Sequence, residues 1–316
     1  MAHWLHKLSG RPVKLFNARE TAKTCDGVEY LPAAQLTEYM AKHKPYLHVA
    51  WRHNFKITDA PTFVWCHDLA TPGAENVANY DRILTLTPFH KRYLMATQGV
   101  PEEKIYVTRN GVKPERFKPS GVAKDPWKFV FSSSPDRGLD RAMRVLDKVR
   151  VKYPQIKLHI YYGWEHLEKY GLKDLKEKLQ TMAYERRDWV IYHGATQQDE
   201  LMREFQSAAY CVQPSDWIET SMISARERLY CGVYQIIRAV GGVVDTLAEA
   251  HEKGMATLVE SECITELEYQ KFADATIQAI ESEAYKRIDT SPESWSWESV
   301  ARDWLENLPK LAGVNG

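Results

Sequence analysis

Two glutamates, Glu219 and Glu227, stand eight positions apart near the end of a short apolar run, Ala208–Val212. A carboxylate accepts hydrogen bonds from hydroxyl groups, so a pair of this kind can hold the hydroxyls of sugars. The apolar run predicts a buried strand, and the proline and serine at positions 214 and 215 end it. The two acids are therefore expected at the mouth of a nucleotide site.

The residues between the two glutamates predict a helix start. Thr220 or Ser221 can cap this helix, and the first free N–H groups, up to Met222 and Ile223, attract phosphate. Glu227 then lies about two turns beyond Glu219 on a similar face. One carboxylate could reach a sugar hydroxyl and the other a ribose, with a diphosphate between them. The same acids could instead only complement the helix macrodipole in solvent.

The overall composition leaves room for two α/β domains and gives no global attraction to polyanions. The chain has 316 residues and 44% apolar residues, which is ordinary for a globular protein with two cores. Lys plus Arg and Asp plus Glu both number 42, so the formal net charge is zero. This balance disfavours binding to nucleic acid or acidic membranes through net charge. Binding through a local basic patch is left as an alternative.

Cysteine usage and hydropathy predict a cytoplasmic protein. The five cysteines, at positions 25, 66, 211, 231 and 263, form no C-x-x-C pair and mostly lie in apolar runs, which predicts buried core thiols in a reducing compartment. The N-terminus lacks the apolar core of a signal peptide, and no transmembrane run of about eighteen apolar residues occurs.

The first part of the chain predicts a parallel sheet wound with helices. Short apolar runs recur at Leu47–Trp51, Thr62–Cys66 and Arg82–Leu86, and a helical segment follows at Pro88–Gln98. His67 and Asp68 come directly after the second run, at the strand end where ligands gather in open α/β sheets. A histidine that merely caps a strand end remains the alternative. The turn at residues 51–53 could line the same ligand site.

The second part of the chain opens with another strand, a turn of small residues and a helix. The strand is Trp127–Phe131, the turn Ser132–Gly138, and the helix Leu139–Lys152. Such a turn lets backbone N–H groups approach a phosphate, and Arg137 can supply a fork of donors. The turn has neither the glycine pattern of a dinucleotide fold nor that of a P-loop, which argues against a dehydrogenase or an ATPase.

The run that continues from Glu227 carries the order helix, glycine, strand, Gly-Gly turn and helix, with glycines at 232, 241 and 242. It resembles the donor-binding half of retaining GT-B glycosyltransferases, of the glycosyltransferase family 4-like, group 1 kind. The chain departs from that pattern at Arg228 and Tyr230, where small residues are usual, and at Tyr234, where proline is common. Serines also stand after the Trp127–Phe131 strand, where the family usually carries a glycine-arginine pair.

This resemblance implies an α/β GT-B fold with two Rossmann-like domains that face each other across a cleft. It implies an acceptor-side domain over residues 1–112, a linker over 113–126 that follows an Asn-Gly turn, and a nucleotide-sugar domain over 127–290. A final helical segment, 291–316, is expected to return toward the first domain. That domain is expected to be reduced, because the opening strand and glycine-rich loop of a full GT-B domain are missing.

The resemblance also implies roles for individual residues. A histidine-acidic pair after a strand of the first domain would line the cleft, and the second-domain loops would hold the diphosphate, the sugar, the base and the ribose. The expected catalytic residues are His67, Asp68 and Glu219. The expected donor-binding residues are Ser133, Arg137, Gly138, Gly194, Ala195, Glu219, Thr220, Ser221, Met222, Ile223 and Glu227.

The implied activity is transfer of a sugar from a UDP- or GDP-linked donor to a hydroxyl of a glycan, a lipid-linked acceptor or another compound. The resemblance implies retention of configuration. The sequence has no Asp-x-Asp and no convincing spacing of histidine ligands, so neither a metal nor another cofactor is expected. Two alternatives stay open: a binding protein without turnover, and a phage-type enzyme acting on hydroxymethylated DNA bases. The balanced charge does not favour a nucleic-acid acceptor.

Overall fold

The protein folds into two compact units, and each is described by itself. In the computed structural model, the described residues are 1–52, 54, 60–117, 121–261, 265–289 and 295–313. The first unit contains Met1–Lys113 and Glu293–Gly316, and the second contains Pro114–Pro292.

The first unit contains two sheets, and the larger one has the predicted parallel arrangement. Its strands pair in chain order, β4-β5-β6-β7, and a smaller sheet has the order β1-β3-β2. The strands are β1 (Val13–Asn17), β2 (Lys23–Cys25), β3 (Val28–Pro32), β4 (His48–Trp51), β5 (Thr62–Trp65), β6 (Arg82–Thr85) and β7 (Ile105–Val107), and the helices are α1 (Ala2–Ser9), α2 (Leu36–Lys42) and α3 (Pro88–Gln98). Sequence reasoning assigned neither α1 nor β2.

The second unit is a doubly wound domain around one six-stranded parallel sheet, with the order β10-β9-β8-β11-β12-β13. Its strands are β8 (Asp125–Phe131), β9 (Lys157–Ile160), β10 (Val190–Tyr192), β11 (Ala208–Gln213), β12 (Tyr234–Arg238) and β13 (Ala256–Val259). Its helices are α4 (Leu139–Arg150), α5 (Glu165–Lys169), α6 (Lys173–Glu185), α7 (Gln198–Ser207), α8 (Ile223–Tyr230), α9 (Gly242–Glu252) and α10 (Glu266–Glu281). Helices α5 and α6 are separated at Gly171, whose φ is +71°.

The strand order of the second unit creates a switch point between β8 and β11. From β8 the chain adds β9 and β10 on one side, and it then returns to add β11, β12 and β13 on the other side. Ligands of open α/β sheets bind outside the carboxyl ends of the strands at such a point. Every residue of β11 is buried, as an apolar run of the parallel-sheet type predicts.

The last helix, α11 (Trp297–Leu311), packs on one face of the larger sheet of the first unit. Alternate residues of β5 point to opposite faces, so Phe63 and Trp65 meet Trp304 of α11, while Val64 packs on the other side. The Trp304 indole N–H donates a hydrogen bond of 2.7 Å to the hydroxyl of Thr108. The apolar residues that recur every three or four positions on α11 therefore form the face that packs on the sheet.

The cysteines only partly follow the expectation of buried thiols. Cys66, Cys211 and Cys231 are buried and free, but Cys25 is exposed because it lies on β2, a strand with no buried residue. The expectation was wrong for Cys25, and Cys263 lies outside the described residues, as does His53 of the turn after β4. None of the described helices is both long enough and apolar enough to cross a membrane.

Thr108→Val tests how much the buried hydrogen bond to Trp304 stabilises the first unit. Thr108 is 4% exposed. Valine keeps its shape but removes the acceptor, so the indole N–H stays buried without its partner, and unfolding free energy should fall by about 1–3 kcal/mol. Denaturant unfolding followed by tryptophan fluorescence measures the change. The control, Thr108→Ser, keeps the hydroxyl and should lose less; the opposite order would contradict the assignment.

Candidate functional site

The candidate site lies at the switch point of the second unit, where the loops after β8 and β11 touch. Gly138 ends the first loop with φ +93°. A Cβ atom there would come within 3.0 Å of the Pro214 carbonyl oxygen and 3.1 Å of the Ser215 Cα. Glycine is needed because both the positive φ and the close approach exclude a side chain. The local sequence therefore brings the two loops into direct contact.

An ion pair joins these two loops. The guanidinium of Arg137, from the loop after β8, donates to the carboxylate of Glu219, from the loop after β11. The guanidinium also lies over the ring of Trp217, 4.8 Å from its centroid. Burial raises the pKa of Glu219, and the charge and hydrogen bond of Arg137 oppose that shift. The pair places a cation and an acceptor next to each other at the switch point.

The Gly-Gly turn before α9 fixes the backbone of Glu219. The N–H of Gly242 donates to the Glu219 carbonyl at 2.7 Å. A Cβ on Gly242 would lie 2.2 Å from the Thr220 carbonyl oxygen, so a larger residue would force the turn away. The two glycines thus allow one loop to approach another closely. The sequence pattern alone did not predict this role.

The expected helix cap is wrong. Helix α8 begins at Ile223, its cap residue is Met222, and no side chain caps it. Thr220 and Ser221 precede the helix, because the Gly242 hydrogen bond holds the backbone just before them in a loop. The Thr246 hydroxyl of α9 lies 3.4 Å from the Met222 nitrogen, which donates to it. A tertiary contact therefore replaces the local cap that the sequence predicted.

The two-turn spacing of the glutamates is wrong for the same reason. Glu219 lies in the loop, and Glu227 lies inside α8. The Glu227 carboxylate accepts a hydrogen bond of 3.1 Å from Gln198 at the start of α7, and Arg116 donates to the same Gln198 side chain. Burial raises the pKa of Glu227, and the Gln198 hydrogen bond and the charges of Arg116 and Arg228 oppose it.

A concave pocket opens beside the ion pair. Glu219 and Met222, both predicted donor-binding residues, line it, whereas Glu227 does not. The complete lining is Gln213, Ser215, Trp217, Glu219, Met222, Ile237, Arg238, Val240 and Val243. Sequence reasoning missed Trp217 and Arg238. Trp217 could have been found, because an aromatic residue two positions before an acid that is expected to bind a sugar is a candidate platform for the sugar ring.

The loop after β8 supports the pocket from the other side. Ser133 is buried, and its hydroxyl accepts a hydrogen bond of 2.8 Å from the amide of Gln213, the last residue of β11. The N–H of Arg137 donates to the Ser134 carbonyl at 2.9 Å, which closes a tight turn. Ser133 therefore contacts the pocket wall through Gln213.

Gly194 and Ala195 follow β10, the edge strand on the far side of β9 from the switch point. Gly194 has φ +78°, so the chain turns there without a side chain. The Tyr192 ring stacks on Trp164 with centroids 4.8 Å apart, which braces the strand end. The structure brings these two residues to the carboxyl edge of the same sheet, and their base-binding role stays a prediction.

His67 and Asp68 lie together after β5 in the first unit. The His67 ring meets Trp65 edge to face at 4.4 Å and Trp51 at 5.7 Å between centroids. Burial, reinforced by the charge of Arg52, lowers the pKa of His67 to about 3, so the ring is neutral at pH 7. No group of three or more His, Cys, Asp or Glu side chains within the described ranges is placed to hold a metal ion.

Asp68 is engaged in its own loop. One oxygen of its carboxylate accepts hydrogen bonds from the Ala70 N–H at 3.0 Å, the Thr71 N–H at 2.8 Å and the Thr71 hydroxyl at 2.9 Å. Burial alone would raise the pKa of Asp68, but the hydrogen bonds from Thr71 and Ala70 and the charge of Arg52 bring it below its usual value. Through these hydrogen bonds, Asp68 shapes the turn that follows His67.

Solved structures share this fold at low sequence identity. Sucrose-phosphate synthase from Thermosynechococcus elongatus is 16% identical, with 99% of this chain and 92% of that chain covered and a TM-score of 0.69. A glycosyltransferase from Rickettsia africae ESF-5 is 12% identical, with 98% and 93% covered and a TM-score of 0.68. Anabaena Alr3699/HepE in complex with UDP and glucose is 16% identical, with 79% and 72% covered and a TM-score of 0.62.

The sequence itself matches a family model over the second unit. The model for glycosyl transferases group 1 matches residues 112–290, which include the pocket, the ion pair and both glutamates. No curated protein sequence matches the chain. The fold shared with glycosyltransferase structures confirms the α/β GT-B class that the sequence predicted. On this evidence the protein belongs to the glycosyl transferases group 1 family.

Proposed function

We propose that this protein transfers a glycosyl group from a UDP- or GDP-linked sugar to an acceptor hydroxyl, with retention of configuration and without a metal or other cofactor. The observation that carries the proposal is the Arg137–Glu219 ion pair at the switch point, beside a pocket lined by Trp217. The family assignment supports sugar transfer. The Anabaena protein of the same fold has UDP and glucose in its complex.

The diphosphate is proposed to bind at Arg137 and at the start of α8. The Arg137 side chain is 32% exposed, so its remaining donors can reach a ligand. A guanidinium presents several donors in a fork that matches the oxygens of a phosphate. Backbone N–H groups at Gly138, Ser221 and Ile223 add donors, whereas the Met222 N–H already donates to Thr246. Ser133 takes part by holding the Gln213 amide in the pocket wall.

Glu219 is proposed to hold hydroxyls of the transferred sugar. Its side chain is 18% exposed and it lines the pocket, so a hydroxyl that enters would meet a largely desolvated carboxylate. Trp217, 48% exposed, offers a ring face beside it. A carboxylate acceptor and a flat apolar surface are complementary to the hydroxyl groups and the apolar face of a pyranose ring.

The nucleoside is proposed to bind along the same sheet edge. Glu227 would accept hydrogen bonds from the ribose hydroxyls, and the Gln198 amide already fixes its carboxylate at 3.1 Å. Main-chain groups of Gly194 and Ala195 would contact the base. These two contacts determine how the nucleotide is oriented, and the base itself follows from which of UDP or GDP binds.

In the proposed reaction the bond between the anomeric carbon and the β-phosphate oxygen breaks, and its electron pair stays on the phosphate. The acceptor oxygen attacks the same face of the anomeric carbon, and its proton passes to the departing phosphate oxygen. Retention follows from attack on that face. Arg137 and the backbone donors stabilise the charge that develops on the leaving diphosphate, which is the task a metal performs elsewhere.

The acceptor side is proposed to be the end of β5 in the first unit. The neutral His67 ring can exchange hydrogen bonds with a hydroxyl, Asp68 shapes the turn that presents it, and Trp51 is 58% exposed. An exposed indole suits an acceptor that carries a sugar ring. The proposed acceptors are a glycan, a lipid-linked compound or another hydroxyl compound.

A panel of UDP- and GDP-linked sugars tests the proposed activity. Incubation with each donor should release the corresponding nucleoside diphosphate, by transfer to added acceptors or slowly to water. Chromatography of the nucleotides measures the release, and proton NMR of the product shows the anomeric configuration. Full activity should persist in EDTA. Tight binding of a nucleotide sugar without any turnover would overturn the enzyme proposal in favour of a binding protein.

Glu219→Gln separates sugar recognition from nucleotide binding. Loss of the carboxylate should lower kcat/KM for transfer by about 10²–10³, because a contact to the reacting sugar is removed. Binding of the free nucleoside diphosphate should stay the same or strengthen, since Arg137 is released from its ion pair. Calorimetry with UDP and GDP measures the binding.

The control for Glu219→Gln is Asp216→Asn, an exposed acid in the same loop that pairs with Arg141. This change should leave transfer nearly unaltered. Equal losses of diphosphate binding and transfer in Glu219→Gln would contradict a role in sugar recognition.

Glu227→Gln tests ribose recognition. Charge-assisted hydrogen bonds are worth about 1.5–3 kcal/mol each, so affinity for the nucleoside diphosphate should fall roughly 10- to 150-fold. A dideoxyribose analogue should bind the wild type and the variant equally, because it has no hydroxyls for the carboxylate. Glu200→Gln, at an exposed position on α7, is the control. Unchanged discrimination between the ribose and dideoxyribose ligands would rule out the assignment.

A further inference from the structure

A fully buried arginine lies behind the wall of the pocket. Arg228, on α8, is 0% exposed. Its Nε donates to the Gln235 amide oxygen at 3.0 Å, and one Nη donates to the Gln213 amide oxygen at 3.0 Å. The other Nη lies 3.4 Å from the Ser132 hydroxyl. Each of these acceptors is neutral.

Among the described residues, no carboxylate forms an ion pair with the Arg228 guanidinium. Its neighbour in sequence, Glu227, feels the positive charge but makes its hydrogen bond to Gln198 instead. A buried guanidinium without a carboxylate is costly to fold. Stability alone gives no reason to keep it, since a small or apolar residue fits a helix face of this kind.

The position of Arg228 relates its charge to the diphosphate site. Gln213 lines the pocket, and its amide oxygen is engaged by Arg228, so its amide nitrogen must face the Ser133 hydroxyl, 2.8 Å away. Ser132 and Ser133 begin the loop that leads to Arg137. The Gln213 side chain, at the end of β11, therefore separates Arg228 from the pocket. Arg228 also lies behind the start of the loop after β8.

The guanidinium of Arg228 is within hydrogen-bond reach of the hydroxyl of Ser132, the first residue after β8. This contact connects the buried charge to the loop that carries Arg137.

We propose that Arg228 is a positioning residue for the donor diphosphate: it holds the Gln213 amide in the pocket wall and the Ser132 hydroxyl at the start of the loop after β8, and its buried charge attracts the diphosphate through that wall. The inference rests on the proposed function, since it concerns the same donor. Bound diphosphate would supply the negative charge that the buried guanidinium lacks. Charge fixed in a poorly solvated site acts over a longer range than a solvated one.

Calorimetric titration with UDP, GDP and their parent nucleosides tests this role in Arg228→Met, Arg228→Gln and Arg228→Lys. The neutral variants should bind the diphosphate about 10- to 100-fold more weakly, while affinity for the uncharged nucleoside changes by less than about threefold. Lysine keeps the charge and should recover most of the diphosphate affinity.

Arg186→Met is the matched control. It removes a guanidinium that pairs with Asp147 and does not line the pocket, so it changes the net charge equally and should leave diphosphate affinity unaltered. Arg228→Gln retains hydrogen-bonding capacity, and it provides the neutral comparison if Arg228→Met does not fold.

Two results would overturn the inference while leaving the proposed function intact. One is a neutral variant that binds the diphosphate as tightly as the wild type. The other is an equal loss of nucleoside and diphosphate affinity, which would identify Arg228 as a merely structural residue. Failure of the wild type to bind either UDP or GDP would instead overturn the proposed function itself, and this inference with it.

Discussion

The parallel pairing of β8 with β11 is the contact on which the candidate site depends. The two strands are distant in sequence, yet Tyr210 lies opposite Phe129 in the sheet and their rings stack with centroids 5.2 Å apart. Since parallel strands end at the same sheet edge, this pairing alone brings the Arg137 loop to the Glu219 loop. Both loops leave buried, close-packed strands, so the side chains they carry are held by the core rather than by the loops themselves.

Close backbone contacts then refine what the strands bring together. Gly138 lets the two loops touch, and Gly242 lets the turn before α9 hold the Glu219 carbonyl. These contacts fix the backbone of Glu219. A residue four positions before α8 is fixed by tertiary hydrogen bonds, whereas a helical residue would be fixed by its own turn. The site is therefore sensitive to glycines that lie outside the residues proposed to touch a ligand.

The sequence was sufficient for the strands of the larger sheets and for the loops that follow them, because apolar runs such as β11 are determined by local residue types. It was not sufficient for the start of α8. Thr220 has the side chain of a cap residue, but a hydrogen bond from Gly242, more than twenty positions later, decides the backbone there. The hydrogen-bond partners of Arg228 were equally unpredictable, since Gln213 and Gln235 come close together only because their strands pair in the sheet.

The two arginines of the site differ in what burial allows them to do. Arg137 is 32% exposed and has a carboxylate partner, so a diphosphate can compete with Glu219 for its donors, and release of Glu219 would then favour hydrogen bonds to a sugar. Arg228 is fully buried and bonded on three sides, so it cannot change partners and can act only as a fixed charge. A fixed charge requires no reorganisation when a leaving group gains negative charge, and an exchangeable one couples phosphate binding to sugar binding. In the proposed reaction, this combination would let one site both recognise a donor and favour its cleavage.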